Sequence, residues 1–476
     1  MINRRRVLST LALVLTLCCA LQPVLGQKGS ANSISIPFET YKLPNGLTVI
    51  LSVDRAIPTV AVNVWYHVGS KNEMAGRTGF AHLFEHVMFT GSGHIPYGTH
   101  DKLTEGVGGS NNGSTTNDRT NYYETVPSNY LESSLWLESD RMGFLLDTLN
   151  LDKLNAQRDV VKNERRQSYD NQPYGRVSEI FSAAMYPKGH PYSWPVIGSM
   201  TDLSEASEQD VKAFFRLYYA PNNATLAVVG DFDPAEAKKL IQKYFGDLPK
   251  GEPVKRPAVP LGSLQASKRL VYEDAVQVPR LYIQWPTVGI KRDDDYPLSV
   301  MSSILSGSRT ARLTKALVYD SQVASQVGAF QNGAEDVGVF QVTVVPRPEH
   351  TLTELEDAVD QVIQKFIAEG PTAEELQKAK NGLELSFLRG LESNLGKANQ
   401  LISGAVFYND PGYFRTDYQK TLAVTAADVK RVAALYLARP RIVLSVVPKG
   451  KKDKASKAGE SETVSTLPAT RRGGRS

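Results

Sequence analysis

The chain has 476 residues, 41% of them hydrophobic and 22% charged, which is long enough for two or more packed domains and too apolar for a disordered protein. Its 54 Lys and Arg against 50 Asp and Glu give a formal charge of +4, but the excess is terminal. Setting aside three Arg at the start, and the eight basic and three acidic residues after Pro448, leaves 43 basic against 47 acidic residues, so the basic balance is no sign of nucleic-acid binding.

Residues 1–26 read as a signal peptide. Arg4-Arg5-Arg6 is a positive n-region, 7–21 is a short apolar run, and cleavage is expected after Gly26. The run is too short, and too abruptly stopped by Gln22-Pro23, for a strong membrane span. Cleavage removes Cys18 and Cys19, the only 2 cysteines. The mature chain then has no disulfides or thiolate ligands, which suits a periplasmic or secreted location.

A first domain is expected over 35–247. Residues 38–53 form a hairpin turning at Pro44-Asn45-Gly46. Residues 59–68, TVAVNVWYHV, alternate as a strand. Residues 78–90, TGFAHLFEHVMFT, have helical periodicity, with Phe80, Phe84, Val87 and Met88 on an apolar face. The Gly/Asn/Ser-rich stretch 106–116 lacks the Lys-Ser/Thr ending of a phosphate loop. A strand over 120–126, helices over 127–149, 152–169 and 207–219, and a strand over 224–229 follow.

Residues 248–265 have the Pro-rich, charged composition of a linker. The second domain, 266–448, repeats the first. Ile57-Pro58 and the strand to Trp65 are echoed by Val278-Pro279 and the strand to Trp285. Asp210-Val211-Lys212 is echoed by Asp428-Val429-Lys430, again before Leu-Tyr and an apolar strand. Helices are expected over 353–368 and 372–392. The fold class is therefore α+β: two homologous domains, each an antiparallel sheet packed with helices. The Lys/Ser/Gly/Thr-rich end, 449–476, reads as a disordered basic tail.

The chemistry lies in His82-Leu83-Phe84-Glu85-His86. Residues four apart on a helix share a face, so His82 and His86 can aim at one metal ion while Glu85 stays free to take a proton from water. H-x-x-E-H is an inverted-zincin pattern. Glu105, Glu124, Glu132, Glu138 and Glu164 are candidates for the third ligand. The duplication favours Glu164: Lys162-Asn163-Glu164 falls on Lys380-Asn381-Gly382, and the half without the paired His also lacks this Glu.

GSKNE at 69–73, HLFEH, VMFTGS at 87–92, the Gly/Asn stretch at 108–115 and VVKNERRQ at 160–167 together resemble the pitrilysin/insulinase family of inverted zinc metallopeptidases. The similarity is to short two-domain bacterial members akin to mitochondrial processing peptidase subunits, and 77 residues separate His86 from Glu164. The resemblance implies Zn²⁺ on His82, His86 and Glu164, with Glu85 as general base. It implies that the chain is half of a clamshell, with an extended peptide added as a strand near 108–116, where Asn112 and Gly109 are the expected substrate-binding residues. Three positions depart from the pattern. Gln157 stands where catalytic members often carry a second Glu, and Val318 and Ser325 stand where they carry Arg and Tyr. The expectation is a zinc endopeptidase subunit that needs a sister chain supplying Arg and Tyr, as a heterodimer or else a homodimer. A non-catalytic, chaperone-like peptide scaffold is the alternative.

Overall fold

A computed structural model describes residues 34–256 and 258–464, and the expected signal peptide lies outside the described residues. The first half contributes β1 (Glu39–Lys42), β2 (Thr48–Val53), β3 (Thr59–Tyr66), β4 (Ser110–Thr115), β5 (Thr120–Pro127) and β6 (Ala224–Gly230). Its helices are α1 (Phe80–Val87), α2 (Thr99–Glu105), α3 (Leu131–Thr148), α4 (Leu151–Arg165), α5 (Val177–Met185), α6 (Met200–Glu205), α7 (Glu208–Tyr218) and α8 (Pro234–Phe245). The second half contributes β7 (Lys268–Asp274), β8 (Arg280–Val288), β9 (Ala324–Gly333), β10 (Val337–Pro346), β11 (Ile442–Pro448) and β12 (Glu462–Thr463). Its helices are α9 (Asp295–Ser306), α10 (Leu352–Glu369), α11 (Ala373–Gly390), α12 (Asn394–Tyr408), α13 (Tyr413–Ala423) and α14 (Ala426–Val432).

The strands form two six-stranded sheets, ordered β1-β2-β6-β3-β5-β4 and β12-β7-β11-β8-β10-β9. Five strands of each follow the same order, so the duplication read from the sequence is also a duplication of topology. The sheets are mixed rather than antiparallel throughout: β2 runs parallel to β6, and β7 parallel to β11. A strand returning after a run of helices can dock in the parallel sense, and both halves use that crossover.

In β3, alternation sends Val60, Val62, Val64 and Tyr66 into one core with α1, α3, α7 and α8. The opposite faces of the two sheets are covered by exchange. The first half's α5 lays Val177, Ile180, Phe181 and Met185 against Leu270, Tyr272, Tyr282, Ile442, Leu444 and Val446 of the second sheet. The equivalent helix of the second half, α12, crosses the first sheet. There Asn399 Oδ1 accepts from Asn63 Nδ2 at 2.8 Å, Asn394 Nδ2 donates to Thr59 O at 3.1 Å, and Phe407 packs edge-on to Trp65. Each buried aromatic in such a seam contributes about 1.5–3 kcal/mol.

An ionic cluster pins the halves together. Lys71 Nζ, on the first half, lies 3.0 Å from Asp118, 2.6 Å from Glu335 and 2.7 Å from Asp336, the last two on the second half. The ammonium occupies the centre of these three carboxylates, so they are a salt-bridge knot and not a metal site.

The tail departs from expectation up to Val464. β12 pairs with β7, Val464 N donates to Val271 O at 2.9 Å, and Ser456 Oγ donates to the buried Glu356 at 2.5 Å. The physical reason is an unfilled edge. Among the described residues, the second half has no hairpin strand equivalent to β1, and the chain end lays a parallel strand at that edge instead. The irregular stretch before β7 is also tied down, with Asn222 bonded to Gly251 and Arg256 Nη2 donating to His67 O.

Candidate metal centre

α1 exists because its apolar stripe has an aromatic bed. Phe84 packs on Phe214, Phe215 and Tyr219 with ring centroids 5.9, 5.5 and 5.1 Å away. Gly79, at φ +89°, starts the helix where a Cβ would sit 2.8 Å from Ile197 O, so no other residue fits without displacement. The buried Glu73 caps this end, its two oxygens accepting from Gly79 N (2.9 Å) and Ala81 N (2.8 Å). Burial pushes the Glu73 carboxyl up to about 8, against the pull of those N–H groups. The helix is shorter than the 78–90 expected. After Val87 the chain tightens, with Phe89 N donating to His86 O and Thr90 N to Val87 O.

The opposite stripe carries His82, Glu85 and His86. α4, N-capped by Asn150, runs beside α1 and brings Glu164 to it two residues before a π-helical stretch at Arg166–Asp170. Arg165 locks that end through Glu179 at 2.9 Å and Gly198 O at 2.7 Å. Glu164 Oε2 lies 3.1 Å from His86 Nε2 and 3.7 Å from His82 Nε2. Tetrahedral zinc with bonds near 2.0–2.1 Å sets its ligands about 3.3 Å apart, so these separations match the ion. Burial lowers the His82 pKa, leaving its Nε2 lone pair free for a metal. A hydrogen bond from His86 holds the Glu164 carboxyl below its usual range. Two imidazoles and one carboxylate, with a place left for water, are a donor set that fits zinc. His82 Nδ1 is buried without a hydrogen-bond partner among the described residues.

Glu85 lies outside this trio. Thr115 Oγ1, on β4, donates to its Oε2 at 2.6 Å. β4 is the terminal strand of its sheet, so among the described residues no strand pairs with its outer backbone edge. Asn112 is exposed on that strand, but alternation puts its side chain on the face opposite Gly113 and Thr115, and its Oδ1 accepts from Gly113 N at 2.8 Å. Gly109 is a close-approach glycine: a Cβ there would lie 2.6 Å from Thr125 O. The structure thus brings together His82, His86, Glu164 and Glu85, and does not turn the Asn112 side chain or Gly109 toward them. Thr115 and Glu73 were not picked out in the sequence as site residues, although Glu73 ends the GSKNE segment.

The remaining histidines have other occupations. His67 bonds Glu335, His94 bonds Asp140, His190 bonds Pro260 O, His350 bonds Glu354, and His100 is buried against Phe89. In the second half, Val318 lies in a π-helical turn with its carbonyl taken by Arg347, and Ser325 Oγ donates to Val345 O. The nearby Arg312 is committed to Glu375 at 2.7 and 2.8 Å.

The chain matches the family profile described as insulinase (peptidase family M16) over residues 48–197, and that of the peptidase M16 inactive domain over 205–383. It is 30% identical over 431 residues to the zinc protease PqqE of Helicobacter pylori, covering 89% of this chain and 95% of the relative. It is 25% identical over 426 residues to the beta subunit of the mitochondrial-processing peptidase of Lentinula edodes, covering 84% and 88%. The crystal structure of a protease from Helicobacter pylori superposes with a TM-score of 0.79 at 29% identity, covering 87% of this chain and all of the other.

Proposed function

The chain belongs to the insulinase (M16) peptidase family, and from that premise we propose that it is a zinc-dependent endopeptidase cutting extended peptides or unfolded segments. The observation that carries this reading is the convergence of His82, His86 and Glu164 beside a carboxylate, Glu85, that is not part of the trio.

His82, His86 and Glu164 would hold the ion. When bound, zinc supplies Lewis acidity, lowering the pKa of a water toward 7 and polarising the peptide carbonyl. Glu85 takes a proton from the attacking water through the oxygen that Thr115 leaves free. The C–O bond forms at the carbonyl carbon, the C–N bond breaks, and Glu85 returns the proton to the leaving amine. The free edge of β4 offers backbone N–H and C=O groups to any extended sequence, which favours an unfolded peptide over a folded protein.

We also propose that the chain works as the metal-bearing subunit of a two-chain clamshell. The reason lies at two positions of the second half: Val318 and Ser325 offer no charge or phenol to a developing oxyanion, and the nearby Arg312 is held by Glu375. A sister chain would supply Arg and Tyr. We further propose that this activity lies in the periplasm or outside the cell, a reading that the signal-like composition of residues 1–26 supports. The same two substitutions favour, as a second reading, a scaffold that grips peptides without cutting.

Turnover of quenched peptides, with and without the sister chain, together with zinc content, tests the proposal. Glu85→Gln should retain zinc and lose turnover by about 10²–10⁴-fold. Retained turnover refutes the base assignment. A zinc-loaded pair that binds but never cleaves peptides establishes the scaffold.

A further inference from the structure

Among the described residues, Thr115 is the one side chain that hydrogen-bonds Glu85. The bond joins two elements distant in sequence, the metal-site helix and the free edge strand. Gly113, two residues earlier on the same face, allows the approach: a Cβ at 113 would lie 3.1 Å from Glu85 Cγ. Strand β4 is held at its turn. Asp118, between β4 and β5, accepts from Tyr192 OH at 2.5 Å and from Glu335 N of the second half at 2.9 Å, and pairs with Lys71 at 3.0 Å. The hydroxyl at 115 thus stands on a strand fixed at one side by β5 and at its end by the other half of the chain.

We propose that Thr115 is a positioning residue that aims the general base, so that Glu85 is held by the strand on which the peptide docks. The inference rests on the peptidase reading above. A glutamate carboxylate, on three rotatable side-chain bonds, can present either oxygen and swing away from the metal. One hydroxyl at 2.6 Å fixes Oε2 and leaves Oε1 to take the proton. A threonine suits this task because its hydroxyl donates a hydrogen bond but does not surrender its proton at neutral pH. The bond survives the reaction: Oε2 accepts from Thr115 whether Oε1 is bare or protonated. Because Thr115 sits on the edge strand, a peptide that pairs with β4 stiffens the element that orients the base.

The test compares Thr115→Val, which keeps shape and removes the donor, with Thr115→Ser, which keeps the donor. With the sister chain present, Thr115→Val should lower kcat about 10- to 100-fold, the value of a lost hydrogen bond to a charged group. KM and zinc content should stay within about twofold, and Thr115→Ser should recover most of the rate. A kcat within about twofold of wild type, or a loss that Ser does not rescue, overturns the proposal. Crystal structures of the zinc-loaded wild type and Thr115→Val supply a readout that needs no turnover. Glu85 should stay on Thr115 in the first and move off in the second. If Glu85 holds one position in both, the proposal fails even where the peptidase reading stands. If the wild type proves inert toward peptides, that reading fails, and the Glu85 displacement alone decides the role of Thr115.

Discussion

Replacing Lys71 with Met removes the cation from the knot between the halves while keeping most of the side chain's volume. Lys71 and Glu335 are 8% and 5% exposed at the side chain, so this is a buried network and not a surface pair. Burial alone would raise the Glu335 carboxyl, but the His67 hydrogen bond and the ammoniums of Lys71 and Lys291 outweigh it and hold the group well below its usual range. A depressed carboxyl stabilises the fold above its unfolded pKa near 4.3, and that stability is lost only as pH falls through the lower folded value. Between pH 7.5 and 5 the wild-type contribution of Glu335 is therefore flat. In Lys71→Met, Asp118, Glu335 and Asp336 face one another without their shared cation. Glu335 keeps His67 and Lys291, but among the described residues the buried Asp118 loses its one ion-pair partner, and uncompensated buried charge costs about 3–5 kcal/mol at pH 7.5. The sign of the pH dependence then reverses, because mutual repulsion raises at least one of these carboxyls above its unfolded value and acidification relieves the strain. Equilibrium urea unfolding at pH 7.5 and 5.0 should show a deficit of that size, shrinking by roughly half at the lower pH. A deficit below about 1 kcal/mol, the size of an exposed pair, or one that grows on acidification, refutes the argument.

Two further outcomes follow from the structure. Gln157 lies two helical turns before Glu164 on the same side of α4, so Gln157→Glu should tighten zinc about 10-fold in a chelator competition, and no change removes its supporting role. Ending the chain after Lys449 strips β12 from β7 and Ser456 from the buried Glu356, which should cost about 2–4 kcal/mol in urea unfolding and open β7 to protease; an unchanged unfolding midpoint shows that the docked tail adds nothing.

What could be read from the sequence was what repeats locally. The metal-site helix shows itself because apolar residues 80, 84 and 87 fall on one stripe and polar residues 82, 85 and 86 on the other. The strands carrying Trp65 and Trp285 show themselves by alternation and by their shared Pro before the run. Gly382 opposite Glu164 pointed to the third candidate ligand only because the chain carries its own comparison. The rest depends on contacts between residues far apart. The segment at 177–185 sets Val177, Ile180, Phe181 and Met185 on one helical stripe, yet nothing local marks that stripe as the cover for another half's sheet. The tail looks disordered by composition, yet Ser456 and Val464 find partners on an edge that composition cannot show. Thr115 reads as one more residue of a polar stretch until the strand is laid beside α1. The knot at Lys71 draws Asp118 and Glu335 from positions more than two hundred residues apart. The parallel pairing of β2 with β6 is likewise a matter of chain return and not of pattern.

The crossing of α5 and α12 has a consequence for how the polypeptide matures. As it is made, the first sheet is complete once residue 230 has emerged, yet one of its faces stays bare until the stretch ending at Tyr408 arrives. For nearly two hundred residues of elongation the nascent chain presents an unroofed surface, the kind of transient exposure that invites aggregation or calls for a holding chaperone. A gene cut at the Pro-rich junction would leave two products each missing its lid, so the two halves reach the native state together or not at all.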